Sequence, residues 1–386
     1  MDKQFLIEIG MEEMPSRYCR SILKQLPENR LSQVAQKNNL NLTSPVIFVT
    51  PRRIALLVQS VQQIETSKTV KGPLYDIAYP NGKPNEIAEK FAKAHNIDIE
   101  TITFKEFNGK KFLAVEQKLS GKFNQQIQDF VMDLLTGLNF DRPMKWDSTG
   151  FKFLRPIRWL ICMIGEKTVD IEFLTLKSNN VSYGNRFLGS PEIKIPSASK
   201  YENILEQNKV IVDQNKRQKM IEMALSDLEN DGYIPAPDPN AELLGDVTFL
   251  VEHPVPIVCE FEKEFLNLPK EVVQTVLSIH QKYFPLLTNS DKNSLSSKFL
   301  VIANHAKATK LIKEGNEKVV NARLRDGTFF FEQDKQHNLD EFLQKTKTIT
   351  FQEKLGSMWD KTQRLSKICR KLADYVDVNQ DNLDLA

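Results

Sequence analysis

Short apolar patterns of strand and helix type alternate along the front of this chain, and from Lys310 the pattern is helical almost to the end. Neighbouring strands with helices between them imply layered packing, so the pattern predicts an α+β fold with a helical C-terminal segment. Phe5 to Ile9 reads as a strand, and Ser16 to Gln36 carries helical apolar spacing through Ile22, Leu23, Leu26, Leu31 and Val34, with Pro15 at its start. Strand-like runs follow at Val46 to Thr50 and Ile54 to Val61, interrupted by Pro51-Arg52-Arg53. Glu86 to His95 predicts a helix, Lys111 to Gln117 a strand, and Asn124 to Leu138 a helix with Ile127, Phe130, Val131, Leu134 and Leu135 inward.

Near Arg155 the character changes. RPIRWLICMIG and VDIEFLTL predict neighbouring strands around a turn at Gly165-Glu166-Lys167. Helices are expected at Lys200 to Gln207 and Gln214 to Asn230, then a proline-rich loop from Tyr233 to Asn240. Further strands are expected at Val247 to Val251, Ile257 to Phe261 and Phe299 to Asn304, with a helix at Lys270 to His280. A chain of 386 residues exceeds one ordinary core, since domains average about 150 residues. The expected division is an N-terminal α+β domain with a mixed sheet at 1–158, a second α+β domain at 159–335 and a helical segment at 336–386.

Several functions find no support. No apolar run approaches the ~20 residues of a membrane helix. The opening MDKQFLIEIGMEEMP carries acids where an export signal is apolar, which predicts a cytoplasmic protein. The four cysteines, Cys19, Cys162, Cys259 and Cys369, form no metal-type pair and read as buried reduced thiols. The five histidines show no HExxH spacing and no His-Asp pair. With 15 glycines the chain has neither a GxxxxGK[ST] loop nor a credible GxGxxG, and the paired motifs of amino-acid-activating enzymes are missing. The expectation is that no catalytic residue, metal or cofactor belongs to this chain.

What remains is local positive charge on a molecule of net charge +2. Arg52 and Arg53 follow a proline at a strand entrance, where side chains can reach outward. Lys68, Lys71 and Gly72-Pro73 form a basic turn. DRPMKWDSTGFKFLRPIR places Arg142, Lys145, Lys152, Arg155 and Arg158 among Trp146, Phe151 and Phe153. Cations neutralise phosphates and aromatic faces stack on splayed bases, so this interleaving suits RNA; a solvated face over an aromatic core accounts for it equally. His253 in VEHP fits a turn histidine or a proton-transfer group. His280 and Lys282 sit at a helix C-terminus, where a cation complements the dipole. Phe329, Phe330 and Phe331 read as packing residues.

Segments from end to end resemble the beta subunit of the bacterial two-subunit glycyl-tRNA synthetases. They are LIEIGMEEMP, TPRRIALLV, KGP, MKW, FLRPIRWL, GNRFL, VEHPVPIVCEF, FLNLPKEVV, HQKYFP, GNEKVVNARLRDGTFFFEQD and FQEKLGSMWDK. Asn185 stands where the family favours histidine, and Arg325 and Gly327 where serine- or alanine-like residues are usual. The resemblance implies an editing-like domain at 159–335, similar to that of the phenylalanine enzyme's beta subunit, and a segment at 336–386 leading into a helical His-Asp phosphohydrolase-like domain cut short here. It implies a glycine–tRNA ligase in which the alpha subunit uses ATP and magnesium while the beta subunit positions tRNA(Gly), within an alpha2beta2 tetramer. Candidate RNA contacts are Arg52, Arg53, Lys71, Lys145, Arg155, Arg158, Arg186, His253, His280, Lys282 and Arg323. Docking of the alpha subunit and hydrolysis of mischarged tRNA stay open as alternatives.

Overall fold

A computed structural model describes residues 4–64, 66–119, 123–189, 191–238, 241–288, 290–376 and 378–385. The chain opens with β1 (Phe5–Met11), every residue of which is buried. Helices α1 (Ser16–Gln25) and α2 (Glu28–Lys37) follow, with Pro27 capping the second. The single helix expected over Ser16 to Gln36 is therefore two, because proline has no N–H to donate within a helix. β2 (Leu40–Thr50) and β3 (Arg53–Gln63) form a hairpin turning at Pro51-Arg52.

A small module is inserted next. β4 (Thr66–Leu74), α3 (Glu86–Ala94), β5 (Thr103–Phe107) and β6 (Lys110–Leu119) make a three-stranded sheet in the order β4-β6-β5 over a core of Ala78, Ala88, Ala92, Ile102 and Leu113. The basic turn expected around Lys71 is instead strand β4. The Lys68 side chain lies outside the described residues. After α4 (Phe123–Thr136) the chain returns to the first sheet as β7 (Ile157–Ile164), with the short β8 (Lys167–Thr168) beside it.

The main sheet has the order β8-β7-β1-β3-β2 and is antiparallel throughout. Its centre, β1, is covered on both faces, which explains why FLIEIGM is almost continuously apolar. Phe5, Ile7 and Ile9 pack with Cys19, Ile22, Leu31, Ile127, Phe130 and Leu134 from α1, α2 and α4. Leu6, Ala55, Trp159, Ile161 and Met163 pack on the other face with Ile193, Ile195, Tyr201, Leu205 and Val210, a layer that includes α5 (Tyr201–Gln207). Each fully buried Leu, Ile or Phe contributes roughly 1.5–3 kcal/mol. A boundary at 158 falls inside β7, and the chain as far as Val212 completes the cover of this first sheet.

The second module begins with α6 (Gln214–Asp227). Its sheet, β9 (Tyr233–Pro235), β10 (Val255–Glu260), β11 (Phe284–Thr288) and β12 (Asp291–Ala303), runs in the order β9-β11-β12-β10 and is antiparallel. Tyr233 to Pro235, expected as loop, is thus an edge strand; Pro239 and Asn240 lie outside the described residues. Where a strand is expected at Val247 to Val251, the last residues of a helix, α7 (Leu243–Thr248), are followed by a turn at Phe249 and Leu250. Leu243, Val247 and Val251 enter one core at helical spacing, which the β-branched composition of the run conceals. The opposite face carries α8 (Lys270–Gln274), a π-helical turn Thr275–His280, and the 27-residue α9 (Thr309–Lys335). Beyond it, α10 (Leu339–Lys345), a hairpin of Thr350–Gln352 with Gly356–Ser357, and α11 (Met358–Leu372) bury no residue in either helix. Ser357 and Asp360 form a reciprocal cap that starts α11.

Candidate nucleic-acid interface

Arg53 is not on the surface. Alternation along β3 aligns it with Ala55 and Leu57 on the face covered by α5, and its side chain is 0% exposed. Its Nε donates to Glu252 Oε1 at 3.0 Å, Nη1 to Ser182 Oγ at 3.1 Å and Nη2 to the Tyr183 carbonyl at 2.9 Å, and Glu8 Oε1 lies 3.5 Å from Nη1. Glu8 also accepts from Ser182 Oγ at 2.6 Å and from the Trp159 indole N–H. Burial pulls the guanidinium pKa down, but the carboxylates of Glu252 and Glu8 outweigh it and hold the group charged. Thr50 Oγ1 adds a bond to Glu252 at 2.7 Å. The expectation that Arg53 reaches outward to RNA is therefore corrected: it is the centre of a buried lattice joining the first sheet to the chain just before β10.

Arg217 on α6 is buried alongside and spends its donors on the carbonyls of Thr248, Ile211, Val212 and Val49 at 2.7–3.1 Å. Burial lowers its pKa to about 10, against the nearby charge of Glu252. Asn304, at the end of β12, accepts from the backbone of Glu252 and His253 and receives the Asn185 amide at 3.0 Å. Charged groups thus weld the two modules where an apolar interface could have done so.

Around this weld, four expected contacts converge. The loop Met11–Met14 is held between two basic turns: Met11 N–H bonds the Arg52 carbonyl, Glu12 N–H that of Pro156, and Met14 N–H that of Pro51. Arg155 Nε donates to the Glu13 carbonyl at 2.8 Å, Arg158 Nε to Glu12 Oε1 at 2.9 Å, and Arg186 Nη1 approaches Glu13 Oε1 at 3.5 Å. Arg52 lies over the Trp159 ring at 5.6 Å and reaches the Gly184 carbonyl. Of these four guanidinium groups, Arg158 and Arg186 meet the carboxylates of Glu12 and Glu13, while Arg155 and Arg52 bond backbone carbonyls. Exposed pairs of this kind are worth about 0–1 kcal/mol, so phosphate oxygens can replace the carboxylates at little cost. Beside them Phe187 is 54% exposed and packs on the His305 ring at 4.7 Å between centroids. Neither Phe187 nor His305 was among the expected contacts. The signal available was an aromatic directly after Arg186.

The remaining candidates lie elsewhere. Lys71, on β4, is exposed and covers the rings of Phe112 and Phe107 at 3.7 and 5.2 Å. Lys145 is exposed on a two-residue strand paired with Lys152–Phe153. Of the aromatics interleaved there, Phe153 is buried against Phe140, Phe151 and the core, whereas Trp146 is exposed with its indole donating to the Phe153 carbonyl. His253 is half-buried, its Nδ1 without a partner, and burial followed by the charge of Lys209 lowers its pKa. Lys282 pairs with Asp246 at 2.9 Å, and Asp246 also binds Arg20 of α1 at 2.7 Å, a second charged link between modules. His280 and Arg323 line one cleft together. Phe331 packs into the core, whereas Phe329 and Phe330 are exposed, contrary to the expectation that all three pack. Among the described residues no group of three His, Cys, Asp or Glu side chains could hold a metal ion, and no helix is long and apolar enough to cross a membrane.

Two antiparallel sheets welded by buried charge, with an arginine-lined loop at their junction, make this a multidomain α+β protein that presents basic groups at one edge. Residues 5–386 match the family model described as glycyl-tRNA synthetase beta subunit, and the chain belongs to that family. It is 34% identical over 385 residues to the glycine–tRNA ligase beta subunit of Natranaerobius thermophilus, covering 98% of this chain and 55% of the relative. Against the subunit of the same description from Clostridioides difficile it is 34% identical over 391 residues, covering 100% of this chain and 56% of the relative. The Bacillus subtilis protein gives 34% over 391 residues, with 99% and 56% covered. The chain spans about half the length of these curated relatives.

Proposed function

We propose that this chain serves as the N-terminal half of the beta subunit of a glycine–tRNA ligase, binding tRNA(Gly) and positioning it for glycylation by an alpha subunit. The observation that carries the reading is the convergence of Arg155, Arg158 and Arg186 on Glu12 and Glu13, with Arg52 in the adjoining turn reaching the Gly184 carbonyl. Guanidinium forks there suit phosphate geometry, and Phe187 offers a stacking face beside them. Fixing the RNA relative to a separate reaction centre lowers the barrier through orientation. ATP, magnesium and glycine then belong to the alpha subunit, in an alpha2beta2 assembly working in the cytoplasm.

Reversing Arg155 and Arg158 together to glutamate tests this. tRNA(Gly) binding should fall at least about tenfold at low salt, and the slope of log affinity against log salt should flatten by about two. Unchanged affinity across the salt series rejects the assignment. A docking reading is favoured by one feature, the exposed row Leu365, Ile368 and Leu372 on α11. Retention of the alpha subunit with no retention of tRNA would select it.

A further inference from the structure

The end of the π-helical turn and the outer face of α9 enclose a cleft of about 360 Å³ lined by Val276, His280, Gln281, Arg323, Asp326 and Phe330. Its volume falls within the ~300–1,000 Å³ of small-ligand sites. The cleft is built on a fixed floor. Val273 and Leu277 from one wall and Val320 and Leu324 from the other share one core, and Tyr283 Oη bonds Asn316 Oδ1 at its side. A π-turn at a cleft wall is itself a feature found often at functional sites.

The lining is underused by the protein. Arg325, two residues further along α9, pairs with Glu262 at 3.3 Å, but among the described residues no ion pair engages Arg323. Phe330 is 63% exposed while its neighbour Phe331 is packed inward. An exposed aromatic ring beside an uncommitted guanidinium is the pairing that a base and its phosphate require. A protein partner would be a poorer match, because the centres of protein interfaces are depleted in acidic residues, and Asp326 stands in this lining.

We propose that this cleft binds one unpaired nucleotide of an RNA, its base against Phe330 and its phosphate at Arg323. Gln281 supplies amide donors and an acceptor to the base edge, Asp326 a further acceptor, and His280 a second flat face. The proposal rests on the RNA-binding reading above but concerns residues separate from the arginine loop.

The test is a fluorescence titration of the full chain with a short single-stranded RNA carrying 2-aminopurine, and with the same strand in a duplex. Quenching is expected with the single strand. Phe330→Ala should weaken that binding about tenfold, and Phe330→Tyr should restore it. Arg323→Gln should weaken it several-fold and lower the salt slope by about one. Both side chains are exposed, so urea midpoints should stay at the wild-type value. Wild-type affinity in Phe330→Ala and Arg323→Gln overturns the cleft. If those variants keep full affinity while the Arg155/Arg158 reversal loses tRNA, the cleft fails and the wider reading stands. Absence of quenching together with absence of tRNA binding in the unaltered chain overturns both.

Discussion

Arg53 Nε and Glu252 Oε1 lie 3.0 Å apart with neither side chain in contact with solvent, and the bond spans 199 positions of sequence. It fixes β3 of the first sheet to the segment entering β10 of the second. A buried ion pair repays its desolvation only when its remaining donors and acceptors are satisfied. Ser182 and the Tyr183 carbonyl accept from Arg53 and Thr50 donates to Glu252 Oε1, while Glu8 Oε2 and Glu252 Oε2 have no hydrogen-bond partner among the described residues. Removing one partner leaves the other as an uncompensated buried charge. Arg53→Met should therefore cost about 3–5 kcal/mol in urea unfolding. Arg53→Lys should recover little of it, since an ammonium cannot reach the Ser182, Tyr183 and Glu252 oxygens with one planar fork. A loss below about 1 kcal/mol for Arg53→Met would remove the lattice from any structural role.

Gly10 faces Trp159 across the β1–β7 pair, and a Cβ at Gly10 would fall 1.7 Å from the indole ring. The indole cannot withdraw freely, because its N–H is bonded to Glu8 and its face carries Arg52 and Arg53. Gly10→Ala should thus destabilise by at least the ~1–3 kcal/mol typical of overpacking, and shift the tryptophan emission as the ring is displaced. A variant with an unchanged melting temperature and emission maximum would contradict this packing.

How far the fold was legible depended on whether one local rule governed each segment. α4 follows one helical period, and β1 and β3 were readable as short, nearly continuous apolar runs. α7 was not, because the Val247–Val251 run has β-type composition, while Leu243, Val247 and Val251 reach one core at four-residue spacing. The site was legible only in its exposed members. Arg155, Arg158 and Arg186 stand near Glu12 and Glu13 through tertiary folding, so sequence showed the cations and not their convergence. Arg53 was misread because the turn before it suggested exposure, whereas its strand register turns it inward. The lone charge of Glu8 within FLIEIGM was the available sign that a buried cation had to exist somewhere.

The thiols offer a check on layer placement. Cys19 and Cys259 are buried and their pKa values are pushed up to about 12 by burial; Cys162 is raised by the same cause. Cys369, on α11, is partly exposed. A thiolate is the reactive form, so a disulfide reagent at pH 8 should label Cys369 rapidly and the other three only on unfolding. Rapid labelling of Cys162 in the native protein would mean that the face of the first sheet under α1, α2 and α4 is open.

His253 supplies a pH dependence with a definite sign. Burial lowers its pKa from the ordinary 6.5, with Lys209 adding to the effect and Glu206 opposing it. The unfolded chain therefore binds the proton more readily than the folded one between the lowered value and 6.5. The stability tied to the neutral ring is fully present above that window and is lost as pH falls through it. His253→Gln cannot take up the proton, so its acid-side decline should be shallower than that of the wild type. Carboxylates titrate alike in both proteins and cancel in the comparison. Urea midpoints at pH 7.5 and pH 5.0 read the effect: the wild-type advantage over His253→Gln should shrink at the lower pH. An advantage that stays constant, or grows on acidification, would show that His253 is not held neutral beside Asn304 and the modules are joined there by a charged imidazole instead.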